Sequence, residues 1–199
     1  MKIAICTPIH GDPKAGFTKS LADMLIHIGG RYEMAFFTYS GSVLDTSRNA
    51  LLDQATRWGA QFILWIDADH IFPPDTLDRL LAAGKKVIGV NFRRRDAKAR
   101  PTATILRDGK EALVASTPEL AGECPIEQVV HIGLGICLLD MTVIRELGAG
   151  AKRLFRFTQS SGEDVHLFRT LADAGVPAFV DHRLSLECGH IHEQVLRFE

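Results

Sequence analysis

The spacing of hydrophobic and polar positions predicts that strands and helices alternate through the first half of the chain. Short apolar runs of strand length are separated by stretches in which apolar residues recur every three or four positions, as on one face of a helix. The predicted strands span residues 2–7, 33–39, 61–66 and 86–91, and the predicted helices span 18–28, 45–58 and 75–83. Asp75, which follows two prolines, is the predicted N-cap of the third helix. This alternation favours right-handed βαβ units on a parallel sheet.

The pattern changes in the second half of the chain. An Asp108-Gly109 pair between two apolar runs predicts a tight hairpin turn. The predicted elements are a hairpin (102–107 and 111–115), a segment that is strand-like at both ends (128–140), two helices (141–147 and 163–174) and two strands (176–180 and 185–188). No repeat and no linker composition separates these elements, so we predict one α/β domain over residues 1–199. Its expected core is a Rossmann-like, mixed and mostly parallel sheet flanked by helices, with a small β-hairpin excursion.

The composition is that of an ordinary globular protein with almost no net charge. Of the 199 residues, 46% are hydrophobic and 24% are charged, and the formal net charge is −1. Such a chain has no overall attraction for nucleic acid or for an anionic membrane. An anionic ligand must therefore be bound by a local basic cluster.

The sequence predicts a cytoplasmic protein without an integral membrane segment. No apolar run is long enough to cross a bilayer, and the N-terminal apolar stretch is too short for a signal peptide. The four cysteines are scattered and form no Cys-x-x-Cys pair. This distribution favours free thiols in a reducing compartment.

Two carboxylates, Asp67 and Asp69, directly follow the apolar strand predicted at 61–66. In an open α/β sheet, ligands bind outside the carboxyl ends of the strands. Mg²⁺ and Mn²⁺ prefer oxygen ligands of this kind, and such an ion can stabilise a diphosphate leaving group. A bare Asp-x-Asp is also common as an acidic turn at the end of a strand. The motif alone leaves both interpretations open.

A second acidic pair, Glu163 and Asp164, opens the predicted helix 163–174. Acidic residues in a first turn stabilise a helix through its dipole, and the preceding Ser161 is a suitable N-cap. In the alternative, functional interpretation, Asp164 is a general base for an acceptor hydroxyl and Glu163 is its hydrogen-bonding partner.

Two histidines, His190 and His192, lie two residues apart on a segment predicted to be extended, so their side chains project to the same side. One of them could coordinate a metal ion. The alternatives are a surface histidine pair or a Cys/His zinc site, for which no second local cluster supplies further ligands.

The one local concentration of basic residues follows the strand predicted at 86–91. It consists of Arg93, Arg94, Arg95, Lys98 and Arg100. A run of positive charge is usually a solvated loop. This run could instead bind a diphosphate or an anionic acceptor, with Arg94 as the expected contact to the donor.

The order of these segments resembles that in GT-A fold glycosyltransferases, particularly family 2-like enzymes. The similar segments are Ser47-Arg48-Asn49 at a helix start, residues 63–69 followed by Phe72-Pro73-Pro74-Asp75, the glycine segment 133–139, Gly162-Glu163-Asp164 with Phe168-Arg169, and the late His190. The resemblance runs from residue 3 to residue 192. Its specificity lies in the joint order of the segments.

The resemblance implies a GT-A fold and a metal-dependent transfer of a sugar from a nucleotide-diphospho-sugar to an acceptor hydroxyl. UDP- and GDP-sugars are the expected donors, and the acceptor is unknown but could be anionic. Asp69 and His190 would bind Mn²⁺ or Mg²⁺, and Asp67 would contact the same ion or the donor ribose.

The resemblance also implies roles for residues outside the metal site. Asp164, with Glu163 beside it, would be the base of an inverting displacement. Thr7, Pro8 and Arg48 would border the nucleotide.

Three features leave the identity of the ligands and the activity open. Many relatives carry an acidic residue after the second strand that reads the base, but here the segment is 38–41, Thr-Tyr-Ser-Gly. A nucleotidyltransferase is the second enzymatic possibility, although the loop 8–14 lacks a glycine-rich phosphate cradle. A catalytically inactive GT-A-like binding module would be expected to lack one of the two acidic motifs, and both are present.

Overall fold

The computed structural model describes residues 1–95, 98–148, 153–158 and 161–192. The strands are β1 (Lys2–Ile9), β2 (Glu33–Ser40), β3 (Phe62–Ile66), β4 (His70–Ile71), β5 (Val87–Gly89), β6 (Thr104–Arg107), β7 (Lys110–Leu113), β8 (Ile126–Val129), β9 (Ile136–Asp140), β10 (Ala178–Asp181) and β11 (Gly189–His190). The helices are α1 (Ala15–Ile28), α2 (Leu44–Trp58), α3 (Thr76–Ala82), α4 (Pro118–Glu123), α5 (Met141–Leu147), α6 (Glu163–Asp173) and α7 (His182–Glu187).

A seven-stranded sheet with the order β2-β1-β3-β9-β5-β10-β8 forms the centre of the molecule. β1 pairs in parallel with β2 and β3, and β5 pairs in parallel with β10. β9 is antiparallel to both of its neighbours, and β8 is antiparallel to β10. The predicted α/β class with a mixed, mostly parallel sheet is therefore confirmed.

The predicted βαβ pattern places β1, β2 and β3 side by side, whereas β5 runs in the same direction as β3 but does not pair with it. β9 lies between β3 and β5 and runs against both, so β3 and β5 are not neighbours. The physical reason lies in the composition of β9, whose residues Ile136 to Leu139 are at most 1% exposed. A strand that is apolar on both faces is stabilised most at the centre of a sheet that helices cover on both sides.

Each face of the sheet has its own hydrophobic core, because side chains alternate along every strand. On one face, Ala4 and Cys6 of β1 belong to a cluster with Trp65 and with apolar residues of α2, α5 and α6. On the other face, Ile3 and Ile5 belong to a cluster with residues of α1 and α3. The helices therefore flank the sheet as predicted.

Several predicted local features are confirmed. The 102–115 segment forms the antiparallel β6–β7 hairpin around Asp108 and Gly109. Gly59 ends α2 with a left-handed φ of 80°, which glycine adopts without steric strain. Throughout the described ranges, each helix is too short or too polar to span a bilayer.

Two local predictions are wrong, and a third is confirmed only in part. Residues 185–188 are not a strand, because α7 covers most of them, and the Asp181 side chain accepts a hydrogen bond from the Leu184 amide to cap that helix. Asp75 is the N-cap residue of α3 as predicted, although its side chain forms no capping hydrogen bond. The N-cap of α6 is Gly162 rather than Ser161, whose hydroxyl instead lies 2.6 Å from that of Thr158.

The carboxyl ends of β1, β3 and β5 meet at one edge of the sheet. Asp67 and Asp69 follow β3 at this edge, and the basic loop follows β5. A second, two-stranded sheet lies beside them, in which β11 pairs with β4 and His190 lies opposite His70. This small sheet brings the late histidine segment to the acidic motif.

Candidate functional site

Two backbone connections hold the segment around Asp69 in place. The Ile191 amide donates to the Asp69 carbonyl at 2.8 Å, which continues the β4–β11 pairing. The Lys14 amide donates to the Ala68 carbonyl at 2.9 Å. The Asp69 side chain therefore sits on a short, anchored turn between β3 and β4.

Three groups contact the Asp69 carboxylate. His190 Nε2 lies 3.4 Å from Oδ2, His70 Nδ1 lies 3.1 Å from Oδ1, and Arg95 Nη1 lies 3.0 Å from Oδ2. The potential ligand atoms of Asp69, His70 and His190 all lie within 4.8 Å of one another. One carboxylate and two imidazoles at this spacing can hold a divalent cation.

The two imidazoles are stacked, with ring centroids 4.5 Å apart and planes 11° from parallel. The edge of Phe92 contacts both rings. Gly135, just before β9, makes this packing possible, because a Cβ there would lie 2.5 Å from His70 ring atoms and 2.7 Å from Phe92. His70 is 1% exposed, and its Nε2 has no hydrogen-bond partner among the described residues.

Asp69 and His190 shift each other's pKa. Burial alone would raise the pKa of Asp69, but hydrogen bonds from His190 and His70 outweigh it and hold that pKa well below its usual range. Burial alone would lower the pKa of His190, but hydrogen bonds to Asp69 and to the Arg93 carbonyl raise it. The carboxylate is therefore ionised at neutral pH, as cation binding requires.

Asp67 does not belong to the cluster of potential metal ligands formed by Asp69, His70 and His190. Its Oδ1 accepts a hydrogen bond from Arg48 Nη2 at 2.9 Å, and its amide donates to the Gly135 carbonyl. Its predicted contact with the ion or the ribose stays a prediction.

Arg48 is a buried link between two acidic segments. Its side chain is 2% exposed and contacts Asp67 and, through Nε at 3.2 Å, Glu163. Its guanidinium carbon also lies 5.5 Å from the centroid of the Trp65 ring. Burial would lower the pKa of Arg48, but the charges of the two carboxylates raise it. Arg48 thus ties the start of α6 to the end of β3.

The two acidic residues that open α6 differ in environment. Glu163 is buried, and this burial raises its pKa although the charge of Arg48 opposes the shift. Asp164 is half-buried, and its Oδ1 accepts a hydrogen bond from the Val165 amide at 2.7 Å. Asp164 also lies close enough to His131 to influence its pKa, which burial lowers. Of the pair, Asp164 is the carboxylate with access to solvent.

Thr7 and Pro8 lie at the carboxyl end of β1, opposite Thr38 and Tyr39 of β2. Both residues are buried, and Thr7 Oγ1 has no hydrogen-bond partner within the described chain. Their predicted border with the nucleotide stays a prediction.

The basic loop and the histidine segment enclose a cavity of about 680 Å³. Arg94 lies on this cavity, and so do His190 and His192. The two histidines therefore face a common space, but only His190 belongs to the cluster around Asp69.

The sequence did not predict that three further residues contact the predicted metal-binding groups. His70 lies within hydrogen-bonding distance of Asp69, Phe92 packs against His190, and Arg95 forms an ion pair with Asp69. His70 adjoins the acidic motif, and Arg95 belongs to the recognised basic run. The contacts with His190 depend on the β4–β11 pairing, and strands of two residues leave no periodic pattern in a sequence.

Comparison with known proteins informs the fold. No protein-family model matches the chain, and no curated protein sequence matches it significantly. Among solved structures, the chain is similar to the crystal structure of A197 from STIV, with a TM-score of 0.55 and 13% sequence identity. That match covers 100% of this chain and 98% of the other. The similarity therefore concerns the fold over its full length.

Proposed function

We propose that the chain is a metal-dependent glycosyltransferase that moves a sugar from a nucleotide-diphospho-sugar to an acceptor hydroxyl. The observation that carries the proposal is the meeting of Asp69 and His190, which lie roughly 120 residues apart in the chain, with 3.4 Å between carboxylate and imidazole. The order of motifs in the sequence and the mixed α/β sheet that carries them support it.

The donor atoms fit a divalent cation of intermediate hardness. Asp69 would supply a carboxylate oxygen and His190 an imidazole nitrogen, while His70 would orient the carboxylate through Oδ1. Mg²⁺ prefers an all-oxygen set, and imidazole suits transition metals, so this set favours Mn²⁺ of the two expected ions. When bound, the cation would neutralise the charge of the departing diphosphate.

The acidic start of α6 would supply the base. Asp164 is half-buried at the first turn of α6, and its carboxylate can accept the proton of an acceptor hydroxyl as that oxygen attacks the sugar. Arg48 holds this turn beside the end of β3 through Glu163 and Asp67. In this arrangement Glu163 is a positioning residue, and inversion at the sugar carbon is the expected stereochemistry.

A thermal-shift panel of UDP-, GDP-, CMP- and dTDP-sugars with and without Mn²⁺ tests the proposal. A ligand that binds the native state raises the melting temperature by mass action, so one nucleotide class should raise it only when Mn²⁺ is present. Asp69→Asn should abolish that shift. Asp164→Asn should keep the shift but lower transfer by about 10²-fold or more, the usual contribution of a general base.

Three results would contradict the proposal. The absence of any Mn²⁺-dependent shift or transfer across the panel would remove the donor site. Pyrophosphate release from a nucleoside triphosphate would point to a nucleotidyltransferase. Nucleotide-sugar binding without hydrolysis or transfer by the wild-type protein would point to a binding module.

A further inference from the structure

The cavity beside His190 has a size suited to a small ligand. Its volume of about 680 Å³ lies within the range of ligand pockets. One wall is formed by residues 91–95 and 98–101, which follow β5, and the other is formed by Ser116 together with α7 and β11. His190 belongs to the lining and also contacts Asp69, so the cavity opens next to the candidate metal site.

Among the residues that the structure describes, the formally charged side chains that line the cavity are all basic. Its basic members are Arg93, Arg94, Arg95, Lys98 and Arg100. No Asp or Glu lines it within the described ranges, and Asp69, which pairs with Arg95, lies just outside the lining. The whole chain has a formal net charge of only −1, so this concentration is local. A local positive field of this kind selects an anion.

The loop is held at its base, which distinguishes it from a solvated run of charge. The Arg94 amide donates to the Arg100 carbonyl at 2.8 Å, and the Thr102 amide donates to the Phe92 carbonyl at 3.0 Å. The side chain of Asn91, 5% exposed, accepts hydrogen bonds from the amides of Thr102 and Ala103. Basic side chains on an anchored loop lose less conformational freedom when they bind a ligand than side chains on a mobile loop do.

The opposite wall is also fixed by side-chain hydrogen bonds. Ser116 Oγ lies 2.7 Å from His182 Nδ1, and His182 Nε2 lies 3.0 Å from Glu127 Oε2. Ser185 Oγ accepts from the Asn91 amide at 2.8 Å, which joins this wall to the basic loop. Both hydroxyls lie on the cavity lining.

From this geometry we infer that the cavity binds a phosphate group carried by the acceptor, an inference that rests on the proposed glycosyl transfer. Guanidinium groups bind phosphate oxygens in bidentate fashion, and three consecutive arginines supply several such forks. An acceptor anchored by its phosphate in this cavity extends past His190 towards the metal site. The basic loop therefore selects phosphorylated acceptors over neutral ones.

The first test uses inorganic phosphate and the metal-free protein, so it does not depend on turnover. Phosphate titrated at constant ionic strength, against sodium chloride as the reference salt, should shift the NMR amide signals of residues 92–95, 98–100, 116 and 190. The Arg94→Gln/Arg100→Gln double variant should weaken this binding at least 5-fold. Arg107→Gln, on the β6–β7 hairpin, is the matched control and should bind like the wild type. Shifts absent at the cavity, or equal in all three proteins, would overturn the inference.

A second arm separates an acceptor phosphate from the diphosphate of the donor. Phosphate should still produce its cavity shifts when the protein is saturated with the nucleotide-sugar found in the thermal-shift panel and with Mg²⁺, which is diamagnetic and, unlike Mn²⁺, does not broaden the NMR signals near the metal site. Loss of the phosphate shifts under those conditions would assign the basic loop to the donor and overturn the acceptor assignment. Failure of all nucleotide-sugars to bind, with phosphate binding intact, would refute the glycosyltransferase proposal and leave an anion site.

Discussion

A single oxygen, Asp69 Oδ2, carries two contacts that a bound cation would change. Arg95 Nη1 lies 3.0 Å from it and His190 Nε2 lies 3.4 Å from it. A guanidinium at this oxygen opposes a divalent ion there by charge repulsion and by occupying the same space. Arg95 is half exposed, so its pair with Asp69 is of the weak surface kind.

Replacement of Arg95 should therefore strengthen metal binding. We expect Arg95→Gln to tighten Mn²⁺ binding about 1.4- to 5-fold, which corresponds to the roughly 0.2–1 kcal/mol typical of exposed ion pairs. Isothermal titration calorimetry of the metal alone measures it. Arg93→Gln, on the same loop, should leave the affinity nearly unchanged. Weaker Mn²⁺ binding by Arg95→Gln would show that Arg95 supports the metal site instead of competing for it.

Arg48 is the residue whose loss should cost the most stability. Its removal leaves Glu163 buried and Asp67 partly buried without their cationic partner. We expect Arg48→Met, which keeps much of the side-chain volume, to lower the free energy of unfolding by about 3–5 kcal/mol. Urea unfolding followed by tryptophan fluorescence measures this loss. Arg57→Met in the last turn of α2 is exposed and should cost less than about 0.5 kcal/mol; equal losses in both variants would remove the special role of Arg48.

Residue types at this site were predictable, but their partners were only partly so. The chemistry of Asp69 and His190 was read from the order of motifs in the sequence. Arg48 was expected to border the nucleotide, but nothing in its local sequence indicated that it is buried between Asp67 and Glu163. Such contacts join segments up to 115 residues apart and exist only once the sheet has formed.

At the scale of the elements, the turn before β9 requires a residue without a side chain at Gly135. Gly135→Ala would place a Cβ within 2.5 Å of the buried His70 ring, which cannot move without disturbing His190. We expect a loss of about 1–3 kcal/mol in the free energy of unfolding, as for other overpacked cores, and weaker Mn²⁺ binding. Gly122→Ala in α4 meets open space and should be neutral or slightly stabilising. A Gly135→Ala protein with unchanged stability and metal affinity would refute this coupling.

The junction of α3 with the end of α1 depends on one carboxylate. Asp78 accepts hydrogen bonds from Arg31 at 2.6 Å and Tyr32 at 3.2 Å, and its Oδ2 lies 2.9 Å from His27 Nε2. Burial would raise the pKa of Asp78, but the hydrogen bonds from Arg31 and His27 and the charge of Arg31 hold it below its ordinary 3.8. The stability that this shift contributes is present above pH 3.8 and is lost as pH falls through the folded-state pKa.

The stability advantage of the wild type over Asp78→Asn should therefore be constant near neutral pH and shrink below pH 4. Urea unfolding of both proteins between pH 2.5 and pH 7 measures it. Asp53→Asn, at an exposed position of α2, is the control. An advantage that grows towards low pH would contradict the assignment.

Elements with a long periodic pattern were predictable, and those that depend on packing were not. α1, α2, β1 and β3 follow from their apolar spacing. The apolar spacing predicts a strand over part of α7 because the six residues of this helix are too few to reveal a helical period. The Asp181 cap that starts α7 is a local contact with the Leu184 amide, three residues later, and is a signal that could have indicated the helix. The apolar run of β9 indicates that this strand is buried on both faces. It does not specify which strands lie beside it.

At the scale of the whole molecule, stability should be highest at the centre of the sheet. The central residues of β1, β3 and β9 are at most 1% exposed, whereas Leu106 near the turn of the β6–β7 hairpin is 65% exposed. Amides of these central strands should exchange with solvent only through global unfolding, and amides near the hairpin turn should exchange through local opening, at least about 10²-fold faster. Hydrogen exchange followed by NMR or mass spectrometry tests this gradient. Equal protection in both regions would show that the hairpin unfolds only with the whole molecule.

The pairing of β4 with β11 has a kinetic consequence. It closes a loop of roughly 120 residues, and contacts between distant parts of a chain form slowly because the entropy of loop closure must be overcome first. A refolding chain would regain the parallel β1–β2 pair and its helices early and would acquire the Asp69–His190 contact late. The protein would then gain the ability to bind a cation only in the last step of folding. Mn²⁺ binding during refolding would therefore measure the fraction of molecules that have reached the native state.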